Sequence, residues 1–341
     1  MSVAKSHDTD FCIILIARFL NELKMIYLAP LQGFTDFVYR KAYAGVFNGI
    51  DKYFIPYISV NNTGLLPKYE KEIRAENNLY GNAVPQILVK DADEMRYLVS
   101  ILKNYGYHEI NLNLGCPYPM VTNRGRGASL LIDAQKVKEI LSAFFESFSI
   151  KLSVKMRAGF DLPNQLEQII PVLNDFPVSE VILHPRIASQ LYKGSIYESA
   201  FEFASENLDH SLVFNGDINS IEDFNHRSKQ FSQVSDWMIG RGVLKNVFLP
   251  SQIKGQHFSE FEKRTLLQNF NELVAASYIQ NMDNEGNAAN KISQFWSYFC
   301  YHFNDPKKQL KRIKKAKKLD AIKRVTTDIL IHEPLQQNGS I

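Results

Sequence analysis

The chain has 341 residues, 45% of them hydrophobic and 22% charged, with a formal net charge of +3. Such a composition excludes a disordered, collagenous or disulfide-scaffold protein and leaves room for one large globular domain and a smaller one. The charge is uneven, because between Asp305 and Arg324 ten Lys or Arg face two Asp; these twenty residues carry +8 and the rest sums to −5. A mildly acidic body with a basic segment points to a polyanionic partner engaged at one end.

Residues 1–24 do not share the pattern of the rest of the chain. They stand apart as an N-terminal extension, either an upstream segment before a start at Met25 or a short helix, Phe11–Leu23, laid across the bottom of the next domain. The apolar run from Phe11 to Ala17 is too short to cross a bilayer, Arg18 interrupts it, and no small-residue cleavage site comes after it. From Met25 onward, short β-branched runs alternate with amphipathic stretches, the pattern of βα units around a parallel sheet. The expected strands are Met25–Leu28, Lys52–Ile58, Val84–Val89, Glu109–Leu112, Leu152–Met156, Glu180–Leu183, Leu212–Phe214 and Trp237–Ile239. Helices are expected over Asp36–Phe47, Asp93–Asn104, Asp133–Phe145, Gln165–Asn174 and Ile221–Phe231, with Asp36, Asp93 and Asp133 at their starts. Eight strands with helices between them make an α/β fold, a (β/α)8 TIM barrel over residues 25–250. A doubly wound open sheet would not need eight strands.

Strand-like runs then stop. Over residues 257–335 helical periodicity takes over, with Leu266, Leu267, Phe270, Leu273, Val274 and Ser277 expected on one face and Phe295, Trp296, Phe299 and Phe303 continuing an apolar stripe. A small all-helical C-terminal domain is expected. Cys12, Cys116 and Cys300 are far apart with no Cys-x-x-Cys pair, which argues against structural zinc or a disulfide framework and fits a cytoplasmic protein. No metal, no membrane association and a monomer are the expectations.

A TIM barrel binds its ligand at the carboxyl ends of its strands, and the unusual polar residues of this chain fall there. Pro30 and Gln32 come after the first strand and Gln86 lies in the third. Asn113, Gly115 and Cys116 come after the fourth; Lys155 and Arg157 lie late in the fifth, and His184 ends the sixth. Asn215 and Gly216 end the seventh, Gly240 and Arg241 the eighth. Ser153, Lys155 and Arg157 share one strand face, and such cations are costly to bury unless an anionic or polar group receives them. His184 by itself reads as a hydrogen-bonded core histidine, and at a strand end beside Arg186 it reads equally as a ligand-binding one. Asn215-Gly216-Asp217 and Gly240-Arg241-Gly242 read as phosphate cradles, which implies a phosphorylated cofactor, and there is no Rossmann or P-loop motif. Cys116 sits where a strand turns abruptly into a loop, a place suited to a nucleophile, a metal ligand or a proton donor, or to a small buried hydrophobe.

Ala29-Pro30-Leu31-Gln32-Gly33-Phe34-Thr35-Asp36 resembles the opening of the tRNA-dihydrouridine synthases. Asn111-Leu112-Asn113-Leu114-Gly115-Cys116-Pro117, then Val121 and Gly125-Arg126-Gly127-Ala128-Ser129-Leu130-Leu131, is similar to that family's signature, and the segments at Lys155, His184, Asn215 and Gly240 come in the same order. The resemblance implies FMN at the barrel mouth, reduced by NADPH or NADH and passing a hydride to a uracil in tRNA. It implies that Pro30, Leu31, Gln32, Gln86, Lys155 and His184 surround the flavin, that Asn215, Gly216, Asp217, Gly240 and Arg241 hold its phosphate end, and that Cys116 is the acid. It also implies RNA contact by Asn113, Arg157, Arg186 and Tyr192, and by Lys311, Arg312 and Lys315 in the basic segment of a tRNA-binding domain, whose ten cations are too one-sided to pair among themselves. Leu31 stands where the family usually has Met, and His184-Pro185-Arg186-Ile187 replaces a more usual His-x-Arg-Thr. The rival readings are another FMN barrel oxidoreductase acting on a free pyrimidine or enone, and a non-catalytic RNA-binding barrel.

Overall fold

Eight parallel strands rich in Ile, Val, Leu, Phe and Tyr close on themselves in a computed structural model that describes residues 24–61 and 64–336. In chain order they are β1 (Met25–Leu28), β2 (Lys52–Ile58), β3 (Ala83–Ile87), β4 (Glu109–Leu114), β5 (Lys151–Gly159), β6 (Val181–Ile187), β7 (Leu212–Asn215) and β8 (Asp236–Ile239). Each pairs in parallel with its sequence neighbour, and β1 closes on β8, so the architecture is a (β/α)8 barrel. The proposals for a start at Met25 and for a helix Phe11–Leu23 concern residues 1–23, which lie outside the described residues.

The longer helices between strands are α1 (Phe37–Val46), α2 (Ala92–Asn104), α3 (Ala134–Ser147), α4 (Leu166–Asn174), α5 (Glu198–Asn207) and α6 (Ile221–Gln230), with the short α7 (Arg241–Lys245) after β8. Asp36 and Asp133 cap α1 and α3 as expected, each accepting a backbone N–H three residues on. The expected start of the second helix needs correction: Asp91, not Asp93, caps α2, its carboxylate accepting from Glu94 N. An acid in the first turn and an acid at the cap look alike in sequence, and the side chain two residues earlier makes the bond.

Inside the barrel, Tyr27, Phe54, Val84, Ile182, Val213 and Met238 form a separate apolar cluster. Beneath it, Lys52 pairs with both Glu109 and Glu180, and the Tyr27 hydroxyl donates to Glu180. This polar plug closes the amino-terminal end and leaves the carboxyl end as the open mouth.

After the barrel come α8 (Glu260–Asn281), α9 (Glu285–Phe299), α10 (Pro306–Lys315) and α11 (Leu319–His332). Ser259 and Glu262 form a capping box at the start of α8. The buried face of α8 carries Leu267, Phe270, Asn271, Val274 and Tyr278, whereas Leu273, expected on that face, is half exposed. The face turns because Asn271 is buried to accept the Trp296 indole N–H, a polar residue that hydropathy alone places outside. Phe270 packs edge-on on Tyr39, Tyr43 and Phe47 of the α1 segment and Phe295 packs obliquely on Tyr39, with Phe299 behind Phe270, so the helical region is welded to the barrel by rings. His302 adds a polar pin, its Nε2 accepting from Val247 N at 3.1 Å while Nδ1 donates to Phe299 O. No helix of the described residues is long and apolar enough to cross a membrane.

Candidate active site

The carboxyl end of the barrel holds two adjoining cavities. The larger, about 220 Å3, is lined from the barrel by Pro30, Leu31 and Gln32 after β1, Gln86 in β3, Asn113 in β4, Cys116, and Lys155 and Arg157 in β5; His184, Tyr192 and Arg241 complete its expected lining. The smaller, about 90 Å3, lies between the loops after β7 and β8 and includes Asn215, Gly216, Asp217, Gly240 and Arg241. Lys155, His184, Tyr192 and Arg241 border both, so the two form one cleft.

Strand register assembles this cleft. Asn113 lies opposite Lys155 and Arg157 opposite His184 on neighbouring strands. A side-chain chain then crosses three strands. Asn113 Nδ2 donates to Gln86 Oε1 (2.7 Å), Gln86 Nε2 to Asn111 Oδ1 (2.7 Å), and Asn111 Nδ2 to Ser153 Oγ (2.9 Å). Both ends of the Gln86 amide are thereby oriented, which fixes its remaining donor and acceptor. Asn111 and Ser153 belong to this support and were not expected as such.

Asn113 also shapes the turn at Cys116. Its Oδ1 accepts from Gly115 N at 3.0 Å and Cys116 N at 2.9 Å. The thiol lies 8% exposed among Leu88, Val121 and Tyr57. Burial pushes its pKa up, opposed by the nearby Arg157 and Lys155 cations, so it is a thiol and not a thiolate near neutrality. A buried, protonated thiol is a poor nucleophile and a serviceable proton donor.

Lys155 has no hydrogen bond or ion pair among the described residues. Burial, and then the Arg157 cation, lower its pKa to about 7. His184 is held well below its usual pKa by burial and by Arg157, Lys155, Arg186 and Arg241 around it, so it is neutral. Arg186 Nη1 lies 3.3 Å from His184 Nε2, and since a guanidinium only donates, Nε2 accepts and the proton sits on Nδ1.

The expected RNA contacts divide. Tyr192 is on the cleft wall with the Arg157 and Arg241 guanidinium carbons 5.2 and 4.7 Å from its ring centroid. Arg157 is buried and donates to Gly115 O and Ile187 O, holding the Cys116 turn to β6. Arg186 is buried and donates to Gly194 O and to both carboxylate oxygens of Asp217. The Asp217 carboxylate therefore faces Arg186, and Arg241 at 3.6 Å, so at a phosphate end Asp217 would serve through its backbone and by positioning Arg241. Lys311, Arg312 and Lys315 lie on α10 and line neither cavity. Arg312 bonds Asp328 and Glu333 of and beyond α11, partners outside the basic segment.

Four rings at the mouth were missed by sequence reading: Phe34, Tyr57, Tyr118 and Tyr298. Tyr298 comes from α9 and stands edge-on to Phe34 with centroids 5.0 Å apart, so the helical region supplies part of the cleft wall. Its place between Trp296 and Phe299 disguised it as core, and its outward offset from their stripe was the available signal.

The two glycine loops are locked together at Gly242, where an added Cβ would lie 2.0 Å from Ile218 O. Between them the cleft presents backbone, Asn215 and Arg241, and at its centre the Lys155 amine without a hydrogen-bond or ion-pair partner. These residues fit an elongated ligand with an anionic end and a polar, planar body. Among the described residues no group of side chains could hold a metal ion.

The chain has relatives among known proteins. It is 28% identical over 225 residues to tRNA-dihydrouridine synthase B of Pasteurella multocida, covering 66% of this chain and 67% of that protein. It is 29% identical over 266 residues to a probable tRNA-dihydrouridine synthase of Helicobacter pylori, covering 74% and 77%. A tRNA-dihydrouridine(16) synthase of Neisseria meningitidis is 24% identical over 311 residues, covering 88% and 93%. The family model described as dihydrouridine synthase matches residues 27–332, through barrel and helical region alike, and the chain belongs to that family.

Proposed function

We propose that this enzyme reduces the C5–C6 double bond of uridines in tRNA, using FMN reduced by NADPH or NADH. The observation that carries the reading is the convergence of a buried thiol at Cys116 and an unpartnered amine at Lys155 on one cleft beside two glycine loops. FMN, when bound, supplies the hydride.

Asn215, Gly216, Gly240 and Arg241 would hold its phosphate end, with Asp217 fixing Arg241. Pro30, Leu31 and Gln32 would border its ring, and Gln86, Lys155 and neutral His184 would bond its polar edge. Lys155 favours negative charge on whatever occupies the cleft, since an anion raises its depressed pKa and restores its charge. Cys116 gives its proton to carbon 5 of the uracil as carbon 6 receives hydride. The uracil must leave its stack to enter, and the tyrosine-lined mouth suits a flat ring. Asn113, Arg157, Tyr192 and Arg186 belong to the wall near that base, directly or as supports. Residues 257–335 form a tRNA-binding domain after a catalytic barrel over 25–250, with Lys311 and Lys315 toward the phosphate backbone.

Purified protein should be yellow, bleach with NADPH under anaerobic conditions, and raise the dihydrouridine content of tRNA lacking that base, read by nucleoside mass spectrometry. A colourless protein that takes up no FMN would refute the redox reading and favour a non-catalytic RNA-binding barrel. A flavoprotein that reduces free pyrimidines or enones but no tRNA would support the other rival.

A further inference from the structure

Arg126 and Glu94 are remote in sequence, and neither lines the cleft. Arg126 lies in the loop that leaves β4, ten residues after Cys116, and Glu94 sits in the first turn of α2 after β3. The guanidinium grips the carboxylate with two N–H groups: Nε donates to Oε2 at 3.0 Å and Nη2 to Oε1. Both side chains are nearly buried, 11% and 13% exposed. Glu94 is itself anchored, its N–H donating to Asp91 and its Oε2 accepting from Lys90 N.

What Arg126 holds is the backbone against the thiol. Gly127 comes next at φ +63, and an added Cβ there would lie 2.8 Å from Cys116 O and 3.0 Å from Cys116 Cβ. Ala128 N donates to Cys116 O at 3.0 Å, and Ser129 Oγ donates back to Arg126 O at 2.9 Å. Asn113 fixes the N–H side of Cys116, and this second arm fixes its carbonyl side.

We infer that Arg126 is a positioning residue for the acid, and that its two-pronged ion pair with Glu94 fastens the Cys116 loop to the helix after the neighbouring strand. Its importance for uridine reduction rests on the proposed function; its grip on the thiol does not. A buried fork-shaped pair suits this task because it fixes angle as well as distance, which a lysine would not.

The test is alkylation of the full-length protein as purified with iodoacetamide between pH 6 and 10, followed peptide by peptide. No substrate or turnover is involved, so failure of the proposed reaction leaves it intact. Lys155, Arg157, Tyr57 and Tyr192 face the thiol from the other elements and Tyr118 from its own loop, and all five are unchanged in every variant. Arg126→Ala should speed modification of Cys116 by at least about fivefold, the effect of ~1 kcal/mol on a local opening. It should also move the pH midpoint toward that of a free thiol, with buried Cys300 unchanged. An unaltered Cys116 rate and profile would overturn the inference. Should Cys300 accelerate in the same proportion, the variant has loosened as a whole, and Glu94→Gln decides. This change keeps shape and weakens the pair. Faster Cys116 with steady Cys300 supports the clamp, and no change refutes it.

Discussion

The hydroxyl of Tyr278 lies 3.1 and 3.0 Å from the two carboxylate oxygens of Asp36, and so joins the long helix α8 to the cap of α1. Lys291 of α9 adds an ammonium 3.1 Å from the same carboxylate and 3.1 Å from Gly33 O. Three helices thus meet behind the loop that carries Pro30, Leu31 and Gln32. Tyr278→Phe keeps the ring and removes one hydrogen bond to a charged group, so stability should fall by about 2 kcal/mol. Urea denaturation measures it, and an unchanged midpoint would show that the bond adds nothing over water.

Lys155 gives a pH-dependent prediction whose sign is set by its pKa of about 7, lowered by burial and Arg157. Between pH 7 and the ordinary lysine value near 10.4 the unfolded chain holds a proton that the native ligand-free protein has released. Stability of the ligand-free protein therefore rises with pH across that window, and the contribution is lost as pH falls toward 7. An anionic ligand reverses the shift. FMN binding at pH 8 should be accompanied by proton uptake, seen by calorimetry in buffers of different ionisation heat, and Lys155→Met should abolish it and weaken binding about 10- to 100-fold.

Cys116→Ala should separate the two halves of the reaction. Oxidation of NADPH by the bound flavin should keep its rate, while reduction of tRNA uridine should fall by about 100-fold or more, the usual worth of a positioned acid. Because burial raises the thiol's pKa, the wild-type rate should hold through neutrality and decline only on the alkaline side. Stopped-flow spectra with and without tRNA distinguish the halves. Equal losses in both would assign Cys116 a structural role.

His302 predicts acid sensitivity. Burial holds its pKa down to about 4 against an ordinary 6.5, so the unfolded chain takes up a proton first. Its contribution is present above pH 6.5 and is lost as pH falls toward 4. A plot of urea midpoint against pH should steepen in that window and flatten in His302→Gln.

Much of this was legible in the sequence because the physics is local. All eight strands were readable, since a barrel strand is a short apolar run ended by a polar residue at the mouth, and Lys155, His184 and the two glycine loops stand out for that reason. What escaped depends on contacts distant in sequence. Asp91 displaced Asp93 as a cap by a single hydrogen bond. Asn271 joined the buried face of α8 because Trp296 needed an acceptor. Tyr298 joins the cleft only because α9 packs over Phe34. The Arg126–Glu94 pair bridges two βα units and leaves no periodicity behind.

The basic segment reads in the sequence as a single charge patch, and the structure divides it. Arg312 is committed to Asp328 and Glu333, and Lys308 lies 3.7 Å from Glu333, whereas Lys311 and Lys315 are exposed on α10. Cations already neutralised by carboxylates displace few counterions from a nucleic acid, and solvated ones displace about one each. Lys311→Ala and Lys315→Ala should therefore each weaken tRNA binding and reduce the slope of log affinity against log salt by about one, with thermal stability unchanged. Arg312→Ala should do the opposite, lowering the melting temperature because α10 loses its hold on α11, with little change in salt slope. Filter binding across a KCl series, paired with thermal denaturation of the same three variants, measures both quantities. If Arg312→Ala lowers the salt slope as much as the lysine changes while the fold stays equally stable, the guanidinium must leave its carboxylates for phosphate, and the ion pairs would be a resting arrangement that RNA displaces.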